Sequence, residues 1–184
     1  MSIVGTERTS AYRSGQVERP TGRWISEMVE AALRHCGSKM GIADREQVAA
    51  ALRVENREAH DYFRHALAGQ VAEYLSELDD SVVGVYTYSY GDAEDEGEDR
   101  SCSVTASINL ILHVRRKTAA LSSVLASLDQ GLLDLYKETV APHAERMSSL
   151  LDVQMADDGE VEAGVGFGAV LKSIHNRPVR LWPS

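Results

Sequence analysis

The hydrophobic period of this chain changes along its length, and this change is the strongest constraint on its fold. Apolar residues recur at helical spacing over residues 24–78 and again over 121–139, whereas side chains alternate in type over 82–90 and 101–114. The first pattern is typical of amphipathic helices and the second of strands with two unlike faces. We therefore predict an α+β fold in which N-terminal helices precede a long antiparallel hairpin.

Two helices are predicted before the hairpin. The first carries an apolar stripe from Trp24 to Cys36. The second starts after Asp44, with Gln47 three residues on in the manner of a capping box. Residues 54–57 interrupt its stripe, which leaves open whether 44–78 is one helix or two.

The rest of the chain completes a mixed sheet of about four strands. Residues 151–155 and 179–182 read as two later strands, and the helix at 121–139 permits a right-handed parallel crossover between the second and third strands. Residues 160–168 fit a strand, a loop or a helix, and we favour a helix at 168–175. The helices are expected mainly on one face of the sheet.

The alternation also predicts the register of the hairpin. With Tyr90 opposite Cys102, Tyr86 lies beside Ala106 and Thr87 beside Thr105. The aromatic and apolar residues then share one face and the hydroxyl groups the other. We expect helices to cover the aromatic face and to leave the hydroxyl face free.

The charge of the chain is concentrated in one segment. The 184 residues carry a formal charge of -9, and residues 91–99 hold six acids and no base, so the rest of the chain is nearly neutral. We interpret this segment as a solvated hairpin tip. Residues 1–23 are predicted to form a mobile N-terminal arm. Residues 24–184 are predicted to form a single α+β domain, with a helical part at 24–80 and a sheet-containing part at 81–184.

Compartment and general partners follow from composition. The chain has neither an apolar run of about 20 residues for a membrane span nor an apolar signal segment at its start. Cys36 and Cys102 are expected to be free thiols. We predict a cytoplasmic protein that does not contact membranes, and its acidic balance makes nucleic acid an unfavourable partner.

Residues 45–60 resemble a DNA-binding helix-turn-helix. The packing positions of that motif are occupied by Val48, Ala49, Leu52, Val54 and Ala59. The turn position, however, holds Arg53 instead of glycine, and the second helix carries Glu58 and Asp61, whose charges repel phosphates. Helix-turn-helix-like DNA binding at 45–67 is therefore kept as a weaker alternative.

The glycine-rich segment 164–168 suggests a phosphate site. Gly164, Gly166 and Gly168 precede a predicted helix, whose backbone N–H groups bind anions. The segment matches neither the dinucleotide-binding pattern nor a P-loop, and close packing or a flexible hinge is the favoured explanation of the glycines. The corresponding function is a small-molecule or nucleotide-binding enzyme, with His113 or His175 as the polar group of its pocket.

We recognise no metal-binding or catalytic motif elsewhere in the sequence. His60 and His65 are five residues apart on a helix and do not share a ligand face, so we predict no metal site. The sequence contains no nucleophile elbow and no zinc-protease motif, and we predict no catalytic residues and no cofactor.

The hydroxyl face of the hairpin is the leading candidate surface. Few charges there keep another sheet away. We expect a non-enzymatic interaction or regulatory module that self-associates through this face as a homo-oligomer, as a dimer, and that also has a possible protein partner. Solvent exposure of the face and a ligand pocket around His113 are the alternatives. The candidate residues are Thr87, Thr105, Ser107, Asn109, Ile111 and His113.

Overall fold

The computed structural model describes residues 22–54, 56–88, 107–140, 147–175 and 177–183. These ranges contain six helices and four strands. In chain order the elements are α1 (Gly22–Met40), α2 (Arg45–Arg53), α3 (Arg57–Leu78), β1 (Val82–Thr87), β2 (Ile108–Val114), α4 (Ala119–Thr139), β3 (Leu151–Asp157), α5 (Asp158–Ala163), α6 (Gly166–Leu171) and β4 (Val179–Trp182).

The four strands form one mixed sheet in the order β3-β2-β1-β4. Strand β1 pairs antiparallel with both β2 and β4, whereas β2 and β3 are parallel and are joined through α4. The predicted α+β class, with N-terminal helices followed by a four-stranded mixed sheet, is confirmed.

A helical layer made of α1, α3 and α4 covers the first face of the sheet. Helix α3 lies against β1, β2 and β4, and α1 packs on both α3 and α4. Leu110, Leu112 and Val114 of β2 belong to the core between these helices and the sheet. Helices α1 and α4 cross closely, since a Cβ atom at Gly131 would lie within 2.3 Å of Ile25 Cδ1.

The segment 44–78 forms two helices. Asp44 caps α2 by accepting a hydrogen bond from the N–H of Glu46, so the predicted cap residue is confirmed, although Gln47 does not complete a capping box. Asn56 caps α3 by accepting a bond of 3.0 Å from the N–H of Ala59. Two separate N-terminal caps thus explain the interruption of the apolar stripe.

A buried histidine joins α2, α3 and α4. His60 is 2% exposed, and its Nε2 lies 2.8 Å from the carbonyl oxygen of Leu52. A carbonyl only accepts, so Nε2 carries the hydrogen and Nδ1 accepts from the Tyr136 hydroxyl at 3.3 Å. His60 is therefore a satisfied core residue that ties the end of α2 to α4.

The predicted hairpin register is wrong. Tyr86 lies opposite Ile111, where the prediction placed Ala106, and Thr87 lies opposite Leu110 instead of Thr105. The shift is by an odd number of residues, so it exchanges the faces of one strand relative to the other. The prediction assumed one free face, whereas β2 is buried on both faces, with Ile111 and Leu112 each at 0% exposure.

Helices α5 and α6 cover part of the second face of the sheet. Their side chains Val161, Phe167, Val170 and Leu171 pack on Tyr88, Ile111 and Ala156. Residues 158–163 and 166–171 are helical, so the open segment 160–168 consists of the end of one helix, a turn at Gly164 and Val165, and the start of the next helix. The predicted helix at 168–175 therefore begins two residues earlier than expected and ends at Leu171.

Some sequence predictions lie outside the described residues. These are the N-terminal arm up to residue 21, the acidic segment 91–99, and the residues Cys102 and Thr105. Gly22 and Arg23, assigned to the arm by the sequence, belong to α1.

Candidate functional site

The candidate interface residues do not share one face. Thr87 lies on the same side of β1 as Val85, facing the helical layer, and its Oγ1 donates a bond of 3.2 Å to the carbonyl oxygen of Asn109. Ser107 is half-buried and directly precedes β2. The hydroxyl face predicted from the sequence is therefore not a continuous surface.

Asn109, Ile111 and His113 do share the second face. They alternate along β2, so their side chains project to the side on which Tyr86 and Tyr88 also lie. The expectation that this face is free is wrong for its centre, because α6 covers Ile111. Asn109 and Tyr86 remain half-buried beside the covering helices.

Helix α5 is fixed at its first turn by polar contacts. Asp157 and Glu160 form a capping box, in which Asp157 accepts from the N–H of Glu160 and Glu160 accepts from the N–H of Asp157. Glu160 Oε1 also binds Lys117 Nζ at 2.6 Å. Gly164 ends the helix in the left-handed conformation with φ 65°. The chain thereby turns back at once into α6.

Gly168 allows α6 to pack directly on α5. A Cβ atom at this position would lie 2.3 Å from the carbonyl oxygen of Glu160, so no other residue fits without moving the backbone. Gly164 and Gly168 thus have the close-packing and turn roles that were the alternative to phosphate binding. Phosphate binding at Gly164, Gly166 and Gly168 stays a prediction.

A histidine–carboxylate pair lies at the end of the second face. His113 is the second-last residue of β2, and Asp158 directly follows β3. Because β2 and β3 are parallel, their carboxyl ends lie at the same edge, and His113 Nε2 and Asp158 Oδ1 are 2.8 Å apart. The side chain of His113 is 14% exposed and that of Asp158 is 51% exposed, so the pair is reached from solvent.

Sequence reasoning missed two further residues of this region. Arg180 of β4 lies opposite Tyr86, and its Cζ is 5.6 Å from the centre of the Tyr86 ring. Asp158 lies just past the strand predicted at 151–155, and the sequence did not single it out. The predicted parallel crossover between the second and third strands would have placed Asp158 beside His113. No sequence pattern predicted the position of Arg180.

The edge strand β3 is the second candidate region. The carbonyl oxygen of Leu150 accepts a hydrogen bond from the N–H of Ile108 at 2.8 Å. Backbone groups alternate in direction along a strand, so the N–H and C=O groups of residues 152, 154 and 156 also point towards β2. The backbone N–H and C=O groups of residues 151, 153, 155 and 157 point away from β2, to the free edge of the sheet. Side chains bind the outward groups at both ends of this edge. The contacts are Leu151 N–H to Asp129 Oδ1 (2.7 Å), Ser149 Oγ to the Leu151 carbonyl oxygen (2.7 Å) and Asp157 N–H to Glu160 Oε2 (3.2 Å).

A groove of about 460 Å³ lies between α1 and α2. Its lining includes the apolar side chains Leu33 and Val48, with Glu30, Arg34 and Arg45 among its polar groups. The guanidinium of Arg45 binds Glu30 at 2.6 Å, and this hydrogen bond holds the pKa of the Glu30 carboxyl below its ordinary value. The Glu30–Arg45 pair is neutral and Arg34 adds a single positive charge, and this lining does not single out a ligand.

The pair α2–α3 is the region that resembles a helix-turn-helix. Its turn is short, and Val48, Ala49, Leu52 and Ala59 are buried, as the resemblance implies, but Val54 is 75% exposed and does not pack between the helices. Arg57 is exposed at the start of α3 together with Glu58 and Asp61. This mixed charge does not distinguish DNA from other partners, and DNA binding stays a prediction.

No family model, curated protein or solved structure matches this chain. Among the described residues, no helix is both long and apolar enough to cross a membrane. In the same ranges, no group of three or more His, Cys, Asp or Glu side chains is placed to hold a metal ion. Function therefore has to be inferred from the sheet edge and from the second face.

Proposed function

We propose that this protein is a non-enzymatic interaction module that forms a dimer by pairing β3 with the β3 strand of a second copy. The observation that carries the proposal is the middle of the β3 edge. Within the described parts of the chain, the outward backbone groups of Val153 and Met155 have no hydrogen-bond partner, and β2 is the only strand beside β3.

The unpaired groups fit a second copy of the same strand. A two-fold axis at Gln154 would place Val153 of one chain opposite Met155 of the other in an antiparallel ladder. Each such pair exchanges two N–H···O=C bonds, so the two pairs use all outward groups of both residues. A contact of this kind is self-complementary, as two-fold symmetry requires.

The composition of the edge supports the same contact. Natural edge strands are usually protected by charges, proline or short length. Strand β4 follows this rule, since it has only four residues and exposes Arg180. Strand β3 has seven residues, and its only charge before Asp157 is Asp152, which accepts a bond of 2.6 Å from Gln154 Nε2. Val153 and Met155 are half-buried.

The expected dimer is of modest strength. A backbone hydrogen bond contributes about 1 kcal/mol net, so four of them give about 4 kcal/mol. This matches only the low end of the estimated cost of association, about 4–15 kcal/mol. The side chains that flank the edge have to contribute by burial, and we expect a dissociation constant of about micromolar order or weaker.

The test is the mass of the protein in solution as a function of concentration. Light scattering coupled to size exclusion should give the mass of a dimer at high concentration for the wild type. Met155→Pro removes one outward N–H without touching a bond to β2, and it should raise the dissociation constant at least about tenfold. Met155→Leu keeps the N–H at similar volume and is the matched control, which should dimerise like the wild type.

A second variant keeps the test independent of proline. Gln154→Lys places two ammonium groups together at the proposed two-fold axis, and it should weaken the dimer more at low salt than at high salt. A wild type that stays monomeric at every concentration contradicts the proposal. So does a Met155→Pro protein that folds and still dimerises with unchanged affinity.

A further inference from the structure

The polar corner of the second face, made of Tyr86, His113, Asp158 and Arg180, lies at a different place from the proposed dimer contact. Arg180 is in β4, the edge strand opposite β3 in the order β3-β2-β1-β4. A second copy on β3 would therefore leave the side of the corner formed by β1 and β4 open. An inference from this corner is independent of the proposed dimer.

The imidazole of His113 is held in one orientation. Asp158 Oδ1 lies 2.8 Å from His113 Nε2, and an ionised carboxylate only accepts hydrogen bonds. Nε2 therefore carries the hydrogen, and Nδ1 is the atom of this ring that can accept a further hydrogen bond. The contact positions a side chain that is mostly buried but not sealed from solvent.

Tyr86 extends along the sheet towards His113. Gly84 lies directly opposite His113, and a Cβ atom at Gly84 would be 3.0 Å from the Tyr86 hydroxyl oxygen. The phenol ring thus occupies the space over Gly84, the residue that pairs with His113 across the strands. A side chain at position 84 would displace the Tyr86 ring from this place.

Arg180 completes the corner with an oriented cation. Its Cζ lies over the Tyr86 ring, 5.6 Å from the ring centre, which is a cation–π contact. In the part of the chain that the structure describes, no carboxylate forms an ion pair with it, while Asp158 is bound to His113 and Glu160 to Lys117. Among the described residues, the Arg180 charge is therefore not neutralised by an ion pair.

We propose that this corner binds a small anionic molecule that carries a carboxylate or phosphate group. The Arg180 guanidinium binds two oxygens of that group in a forked contact, for which its geometry is suited. The Tyr86 hydroxyl and the His113 imidazole bind a second polar group of the same molecule. A neutral or cationic molecule lacks the negatively charged group that would bind the Arg180 guanidinium.

The experiment is a titration of the full chain with inorganic phosphate and, separately, with malonate, followed by the backbone amide resonances in NMR spectra. We expect saturable shifts at Gly84, His113 and Arg180, with no comparable shift in α1. The two probes separate the sources of the anion, and tighter binding of either one assigns the class within the proposal.

Paired arginine variants test whether the site or the total charge is responsible. Arg180→Gln should weaken binding at least about tenfold, as expected for loss of a charged hydrogen-bond donor. Arg177→Gln removes the same charge from an exposed position in the same segment and should change affinity less than about twofold. Tyr86→Phe, which keeps the ring under Arg180, should give an intermediate loss.

Two results would overturn the proposal. One is the absence of saturable shifts at the corner with both anions. The other is an equal loss of binding in Arg177→Gln and Arg180→Gln, which would mean that only net charge matters. Circular dichroism of each variant checks that the chain is folded, and Tyr86→Phe tests the corner without altering any charge.

Discussion

The two faces of the sheet are covered to very different depths. The helical layer on the first face consists of helices of 19, 22 and 21 residues, whereas α5 and α6 on the second face have six residues each. Yet Ile111 and Leu112, neighbours in β2 under the two covers, are equally buried. Exposure alone therefore does not distinguish a deep core from a thin cover.

The two covers are also held by different forces. The first face is held by a continuous apolar cluster that spans all three helices and the sheet. On the second face a small apolar cluster is supplemented by the Lys117–Glu160 ion pair and by the hydrogen bond between His113 and Asp158. Polar side chains that are held in place but remain partly exposed thus lie at the thin cover, and the proposed ligand site is among them.

The largest expected effect is a difference between two adjacent truncations. Leu112→Ala should lower the free energy of unfolding by about 3–4 kcal/mol, and Ile111→Ala by about 2 kcal/mol, because the short helices over Ile111 can settle into the cavity more readily. Urea unfolding measures both values. Equal losses, or a larger loss at Ile111, would contradict the distinction between deep core and thin cover.

In the second comparison, the substitution in the thin cover is expected to destabilise the fold more than the substitution in the helical layer. Gly168→Ala should cost about 2 kcal/mol, because the new Cβ meets the backbone of Glu160. Gly131→Ala in α4 meets only the terminal Cδ1 of Ile25, which can rotate away, and the gain of about 1 kcal/mol in helix propensity offsets the remaining strain. Unfolding curves of the two variants give the comparison. If Gly131→Ala is the more damaging, the thin cover is the more adaptable one.

The third effect concerns the helical layer at alkaline pH. Burial raises the pKa of the Cys36 thiol and of the Tyr136 hydroxyl above their ordinary values of 9.0 and 10.0, an effect that Arg64 partly opposes at Tyr136. The unfolded chain then loses these protons first, so stability is complete below the ordinary values and falls as the pH rises through them. Tyr136→Phe should lose about 1 kcal/mol at neutral pH, with its bond to His60. Its stability should then fall less steeply above pH 10 than that of the wild type, and parallel curves would argue against this role of Tyr136.

The smallest effect lies at the surface of the helical layer. The pKa of Glu30 is lowered by its hydrogen bond to Arg45, so the pair stabilises the fold above the ordinary value of 4.5, and this contribution is lost as the pH falls. Both side chains are more than one third exposed, and Glu30→Gln should cost less than about 1 kcal/mol. Thermal unfolding at neutral and acidic pH should show the variant and the wild type converging in acid. A gap that widens in acid would be the contrary result.

The sequence predicted the architecture better than the pairing of its strands. Helices and strands differ in period, and this signal identified the four strands and the helices α1 and α4. The register depends instead on which face is buried, and β2 is apolar enough to be buried on both faces. The predicted register assumed that one face of the hairpin is uncovered, and it was therefore wrong at Tyr86 and Thr87.

The candidate site was predicted only in part. His113 was identified because it is a titratable residue on an alternating strand, and Asn109 and Ile111 share its face. Arg180 was missed because its contact with Tyr86 depends on β4 lying antiparallel beside β1, and a four-residue strand carries no pairing signal. The unpaired groups of Val153 and Met155 likewise depend on which strand ends the sheet.

The antiparallel ladder of β1 and β2 also suggests where the chain can be lengthened. The N–H of Tyr88 donates to the carbonyl oxygen of Asn109 at 3.3 Å, so the two ends of their connection are held side by side by the sheet itself. Doubling the length of such a connection costs only about 0.6 kcal/mol in loop-closure entropy. A fluorescent reporter inserted between these ends would be attached to the sheet at both termini, far along the chain from Val153 and Met155, and could follow assembly in living cells.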